Sequence, residues 1–292
     1  MKFINLKQGS KEWLAYRKLK VMASEAPIVM GLSKYETPYK LWQRKLGLIE
    51  EKEQTQAMKR GIELEPIARN LFNMDNQSNF QPVVAECESY EFLAASLDGY
   101  ENGEVLEIKC NGEKNHAMAL HDGIPPDHYC QMQVQMFVTD SLKGYYFSFD
   151  GNDGKKIEVE FDPLYCQNMI PRLRDFYKQL ICFEAPPLQK SDYKEMDSME
   201  WKTLAEDYIL LEKEIKAREE KKDIIRKQLI AMAGDTNCVG SGIKLQKTLT
   251  KGRVSYENIP ELKGVNLDPY RKTATVSWRV YLQEQISSNN IF

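Results

Sequence analysis

The sequence predicts an α/β (α+β) fold: a mixed sheet flanked by helices, followed by a helical and short-strand C-terminal extension. Two observations predict it. Between residues 82 and 161, apolar residues come in short alternating runs punctuated by turn formers, the pattern of strands. On either side, residues 10–74 and 163–183 carry apolar positions three and four apart, the spacing that lines one face of a helix.

The elements follow in order. Residues 10–31 read as a helix: Ser10 is a plausible N-cap, and Trp13, Leu14, Arg17, Leu19 and Val21 follow at helical spacings. The string Ala23-Ser24-Glu25-Ala26-Pro27 breaks and restarts it. Residues 38–48 and 55–74 are helical too, the second placing Glu63, Glu65 and Arg69 among Ile62, Leu64, Ile67, Leu71 and Phe72. Strand-like runs at 82–90, 92–97 and 103–110 form an antiparallel meander, which places Asp98 in a turn. Pro125-Pro126 opens a helix to about 139. Strands 143–149 and 155–161 flank the hairpin turn Asp150-Gly151-Asn152-Asp153-Gly154, and a helix at 163–183 closes the core.

Ala185-Pro186-Pro187 reads as a linker, dividing a core of 1–190 from an extension of 191–292. In the extension, residues 197–233 form a charged helix whose i,i+4 pairs suit a solvated surface. The tail at 243–283 is basic and strand-rich. From Lys244 to Arg279 it carries eight Lys/Arg against three acids, with Tyr256, Tyr270 and Trp278 interleaved. Nucleic-acid contact and packed short strands both account for that mixture.

Composition narrows the class. Hydrophobic residues make up 42% and charged residues 28% of 292 residues, as in globular proteins. No apolar run approaches the roughly 20 residues needed to span a bilayer, and the N-terminus shows no signal-peptide h-region. The expectation is a cytoplasmic protein with no membrane partner. Six scattered cysteines without a C-x-x-C pair suit reduced thiols rather than a zinc or iron–sulfur site. The three histidines read as loop or helix-surface residues. A net charge of −3 argues against a surface that coats DNA throughout, but not against a local basic groove.

Chemistry concentrates in Ser96-Leu97-Asp98-Gly99-Tyr100 and Leu106-Glu107-Ile108-Lys109-Cys110. Strand alternation puts Glu107 and Lys109 on one face, nine residues beyond Asp98. Buried acids and an ammonium that converge are costly unless a cation and an anion join them. Magnesium and a phosphodiester would do both, with Asp98, Glu107 and the Ile108 backbone carbonyl as metal ligands and Lys109 beside the scissile phosphate. The spacing alone also fits a surface ion-pair ladder.

Five ordered motifs sharpen the reading: Trp13-Leu14-x-x-Arg17 with Ala23-Ser24-Glu25; Gly61-x-x-x-Glu65-x-x-Ala68-Arg69; Ser96-x-Asp98-Gly99; Leu106-Glu107-Ile108-Lys109-Cys110; and Gln131-x-Gln133. Together, over about residues 8–185, they resemble the lambda-exonuclease/YqaJ-type phage recombination nucleases of the PD-(D/E)xK superfamily. Leu97 stands where the superfamily's name has Pro. The resemblance implies a restriction-endonuclease-like sheet. Asp98 and Glu107 would bind magnesium, with Glu65 (favoured over Glu63) reaching a second ion; manganese could substitute. Lys109 would be the catalytic ammonium, and Arg17 and Ser24 would hold a DNA 5′-phosphate. Gln131 and Gln133 would orient water or phosphate, or else are ordinary polar helix positions.

The implied activity is 5′-to-3′ degradation of one strand of double-stranded DNA ends, releasing mononucleotides and leaving a 3′ single strand for recombination. The implied partners are further copies in a ring-like homo-oligomer and a single-strand annealing protein, in the cytoplasm of a bacterial host. Two rivals stay open: a nicking or structure-specific endonuclease on the same site, and a non-catalytic DNA-binding assembly subunit.

Overall fold

The computed structural model describes all residues except 51–54, 111–115, 117–120, 122, 251, 253–254, 256–258, 263–264 and 266–292. Two compact units divide it, Met1–Lys194 and Glu195–Phe292.

The first unit is a sheet with helices on both faces. Strands β1 (Lys2–Ile4), β3 (Gln81–Glu86), β4 (Leu93–Glu101), β5 (Glu104–Cys110), β6 (Lys143–Phe149) and β7 (Gly154–Glu160) lie in that order. A short β2 (Val21–Met22) runs parallel to the start of β4. Among the described strands only that pair and β5–β6 are parallel, so the sheet is mixed and mostly antiparallel. The β5–β6 crossover carries a helix, as parallel neighbours require.

Seven helices complete the described chain: α1 (Lys11–Lys18), α2 (Ala26–Val29), α3 (Pro38–Lys45), α4 (Gln56–Asn76), α5 (Pro126–Thr139), α6 (Pro163–Cys182) and α7 (Met199–Ala233). Their starts follow from side-chain caps. Ser10, Thr37, Thr55, Asp162 and Ser198 each accept a backbone N–H three residues on, satisfying one of the donors that a helix start leaves unpaired.

Two apolar clusters fix which faces meet. On one face α5 packs through Cys130, Met132, Val134 and Met136 against Ala95, Leu97 and Val105, with α2 and α6 outside it. On the other, Ala68 and Phe72 of α4 meet Phe80, Leu106, Ile108 and Phe147. Cys130 through Met136 are all buried, so α5 is a core helix and its three glutamines must find partners inside.

The sequence reading needs three corrections here. Residues 10–31 are not one helix, because Val21 and Met22 leave α1 to pair with Leu93 and Ala94 and a single 3₁₀ turn, Ala23–Glu25, precedes α2. Asp98 is not in a turn. Strand β4 continues through it to Glu101, and the turn falls at Asn102-Gly103, both with φ above zero. The edge strand β1 was not foreseen. The linker Ala185-Pro186-Pro187 lies within the first unit, and its division from the second follows Lys194.

The second unit consists, among the described residues, of α7, a hairpin of β8 (Cys238–Gly240) and β9 (Ile243–Leu245), and a 3₁₀ turn at Pro260–Leu262. Most of the tail at 243–283 that was expected to be strand-rich lies outside the described residues.

Candidate active site

Strand β4 carries two different neighbours along one edge: β2 at Leu93–Ala94 and β5 at Gly99–Glu101. Asp98 sits where that edge forks. A β-bulge marks the spot, since Val83 pairs with Leu97 but Gln81, two residues back, pairs with Tyr100, three residues on. An extra residue in one strand re-aims side chains, a device common beside active sites. The close packing leaves no room for a side chain at the next position: a Cβ on Gly99 would stand 2.8 Å from that of Phe80.

The carboxylate of Asp98 turns into the fork, where Oδ2 accepts the Ile108 N–H at 2.8 Å. In an extended strand a residue's N–H and C=O point to the same side, so the Ile108 carbonyl faces this fork too. Glu107, 1% exposed, pairs with Lys109 on the same face of β5. The Lys109 ammonium donates to Gln131 Oε1 at 3.2 Å, and Gln131 Nε2 donates to Glu107 Oε1 at 2.8 Å.

Glu65 joins from α4. It occupies the same stripe as Ala68 and Phe72, three and seven residues on, so docking of Phe72 carries it to the sheet. Arg69 binds it one turn later. Glu63 is exposed, whereas Glu65 is half-buried and feels the charges of Glu107 and Lys109.

Electrostatics show how tightly the acids crowd. Burial, then Glu107, then Glu65 raise Asp98 well above the usual carboxylate range. Burial likewise raises Glu65 against the opposing pull of Arg69. Burial works against the charge of Lys109, but Glu107 and Asp98 outweigh it and raise the amine, which stays an ammonium.

Asp98 and Glu65 thus take a proton more readily than free carboxylates do, and a bound cation would oppose that. The donor set is hard oxygen only: Asp98, Glu107 and the Ile108 carbonyl, with Glu65 nearby. Among the described residues no three His, Cys, Asp or Glu side chains form a closed cage. Hard oxygen donors of this kind are what magnesium takes, one or two carboxylates with several waters.

Gln133 is corrected. It is not at this site: its amide donates to the Glu160 carbonyl at 2.9 Å and accepts from Asp162 N at 2.8 Å. Two residues along a helix turn a side chain through about 200°, away from its neighbour's target. Gln135, four residues after Gln131 and on its face, was missed. Its Nε2 donates to Glu107 Oε2, so the two amides grip both carboxylate oxygens, while its own Oε1 is buried without a partner. His128 was also misplaced on the surface: it lies half-buried against the Tyr146 hydroxyl at 2.9 Å, and desolvation, then Lys109, push it down to about 4.

Arg17 and Ser24 do come together. Arg17 Nη2 donates to Ser24 Oγ at 3.3 Å, and its guanidinium lies 4.5 Å from the Trp13 ring centre. Trp13 Nε1 in turn donates to Ser96 Oγ at 2.9 Å, tying α1 to β4 two residues before Asp98. A cavity of about 150 Å³ opens beside Arg17, lined also by Leu14, Lys18, Glu25, Arg44 and Lys45.

Lys45 is the other residue the sequence concealed. Its ammonium spends all three donors inside the fold, on Glu25 Oε2 at 2.7 Å, the Arg17 carbonyl at 2.8 Å and the Lys20 carbonyl at 2.6 Å. Burial pushes it down, opposed by Glu25.

Residues 12–141 match the YqaJ-like viral recombinase domain. The matched stretch runs from α1 to the end of α5 and so contains Arg17, Ser24, Glu65, Asp98, Glu107, Lys109 and both gripping amides.

The uncharacterized protein YqaJ of Bacillus subtilis (strain 168) is 29% identical over 166 residues, 54% of this chain and 52% of that protein. The chain thus spans about half the length of that relative. Among solved structures, LHK-Exo, an alkaline exonuclease from Laribacter hongkongensis, is 26% identical. Its complex with dAMP superposes with a TM-score of 0.54, and the enzyme solved by itself with 0.52; each comparison covers 60% of this chain and 94% of the other. The resemblance read from the five motifs and the expected fold are both borne out. No helix among the described residues is long and apolar enough to cross a membrane.

Proposed function

We propose that the YqaJ-like domain is a magnesium-dependent exonuclease that degrades one strand of duplex DNA from a 5′-phosphorylated end. It would release mononucleotides and leave a 3′ single strand for phage-type recombination. The observation that carries this reading is the meeting of Asp98, Glu107 and Lys109 at the β4–β5 fork, tied through Ser96 and Trp13 to the Arg17/Ser24 pocket. The likeness to an alkaline exonuclease supports it.

Asp98, Glu107 and the Ile108 carbonyl would hold one ion, and Glu65 would reach a second or its waters. When bound, magnesium supplies charge neutralisation at the phosphate and a water made acidic enough to attack near neutral pH. The chain's own residues do the rest. Lys109, kept charged by its acid neighbours, meets the negative charge that grows on the phosphate as the P–O bond breaks. Gln131 and Gln135 hold Glu107 in one orientation. Arg17 offers a planar fork of donors and Ser24 a hydroxyl, a pairing suited to a terminal phosphate. A homo-oligomeric ring and a single-strand annealing protein as partner complete the reading, and both rest on the family likeness.

The test is digestion in magnesium of linear duplex with and without a 5′-phosphate, beside a covalently closed circle. Wild type should release mononucleotides faster from the phosphorylated end and leave the circle intact, while Glu107→Ala should release none. A nicked circle would favour the endonuclease reading. Undiminished activity in the variant would remove the site altogether.

A further inference from the structure

Helix α7 runs 35 residues, about 50 Å at 1.5 Å per residue, and none of them is buried. Its sequence is not that of a merely solvated helix. Positions 201, 204, 208, 211, 215, 218, 222, 225, 229 and 232 advance by alternating steps of three and four. Eight of these ten are Trp201, Leu204, Tyr208, Leu211, Ile215, Ile225, Leu229 and Met232, and the other two are Arg218 and Lys222. Such a repeat suits the seam of a coiled coil, which a partner helix would cover.

Charge says which partner. Residues 199–215 carry five acids and two bases, a balance of −3, whereas 216–233 carry six bases and three acids, a balance of +3. The helix dipole explains little of this, because its influence fades within the first and last turns, and Glu206, Glu212, Glu214, Lys216 and Lys221 all lie deeper. Two such helices side by side in the same direction would set like halves together. In opposite directions every acidic half meets a basic one.

We propose that Met199–Ala233 pairs antiparallel with the same helix of a second copy of this chain. With the two-fold axis between Lys216 and Ala217, Arg218 faces the second copy's Ile215, and Lys222 faces its Leu211. Their aliphatic stems extend the seam, and their charged heads reach Glu214 and Glu212 on the other copy. The two polar seam positions thereby set register and direction, the best-attested use of such residues.

Sedimentation equilibrium of the full chain near physiological salt tests this. One variant reverses the acidic half (Glu206→Lys, Glu212→Lys, Glu214→Lys), and another the basic half (Lys216→Glu, Lys221→Glu, Lys227→Glu). Wild type should form a reversible assembly whose mass falls by a factor of two in either variant. Mixing the two variants in equal amounts should restore it, which a misfolded helix could not do. Variants that keep the wild-type mass would overturn the proposal and point to the chain's own tail as the cover. A wild-type mass that each variant halves but the mixture does not restore would overturn it as well.

Discussion

At the scale of single residues, the site rests on groups that satisfy one another, so removing one exposes its partners. Gln135 holds one oxygen of Glu107 as Gln131 holds the other. Gln135→Leu keeps the volume but leaves that buried oxygen undonated. Second neighbours of a metal typically contribute 10- to 100-fold to affinity or activity, so magnesium titrations of cleavage should show about that loss, with Gln135→Glu worse still. Lys45 is a different case. Truncating one partner of a buried ion pair costs about 3–5 kcal/mol because the other charge is stranded. Lys45→Met should therefore lower the thermal midpoint sharply, and adding Glu25→Gln should recover part of the loss. Legibility differs among these positions for a physical reason. Glu107 and Lys109 could be read because a strand's period is exact and short, whereas Asp98, expected in a turn, was found by its spacing to them and not by its strand. In Gln131-Met132-Gln133-Val134-Gln135 every second residue is the same, so the sequence could not say which two share a helix face until α5 had a fixed rotation. Lys45, near the end of an amphipathic helix, has the sequence signature of any exposed lysine.

At the scale of elements, the link between cleavage and end recognition is the seating of α1 on β4. Trp13 makes it by its bond to Ser96, and its ring lies beneath Arg17 within α1. Trp13→Phe keeps a ring but loses the bond, leaving the Ser96 hydroxyl to seek another partner. If the pocket holds a 5′-phosphate, the variant should cleave hydroxyl-ended duplex as wild type does while its preference for phosphorylated ends shrinks about tenfold, equivalent to the roughly 1.4 kcal/mol of one good hydrogen bond. Equal loss on both substrates would show that α1 serves the fold alone. Most elements were legible because capping residues and alternation agree on their ends. Two features were not. Val21-Met22 is too short to show a period, and its helical spacing from Arg17 masked a strand made by tertiary pairing. The bulge at Asp98 leaves no mark in the sequence, because it is a mismatch between β4 and β3 rather than a property of either strand.

At the scale of the whole first unit, the crowded acids make stability a function of pH and of the metal. Asp98 binds its proton more tightly in the fold than in the unfolded chain. Between the ordinary aspartate value of about 3.9 and its raised folded value, the folded state holds the proton and the unfolded state does not, so stability falls as pH rises through that window. Each pH unit crossed costs about 1.4 kcal/mol for one such group, and above the window the whole penalty is present. Asp98→Asn cannot ionise, so in chelator at neutral pH it should melt above wild type. Magnesium should reverse the order. An ion bound to the native state alone stabilises by about 2.7 kcal/mol at one hundred times its dissociation constant, worth roughly 5–10 °C in a domain of this size. Wild type should gain that shift and Asp98→Asn little of it. Calorimetry of both proteins with and without magnesium decides the matter: an Asn variant that melts lower in chelator, and rises as much as wild type on adding the ion, would mean that Asp98 faces no metal and that its proton serves only the fold.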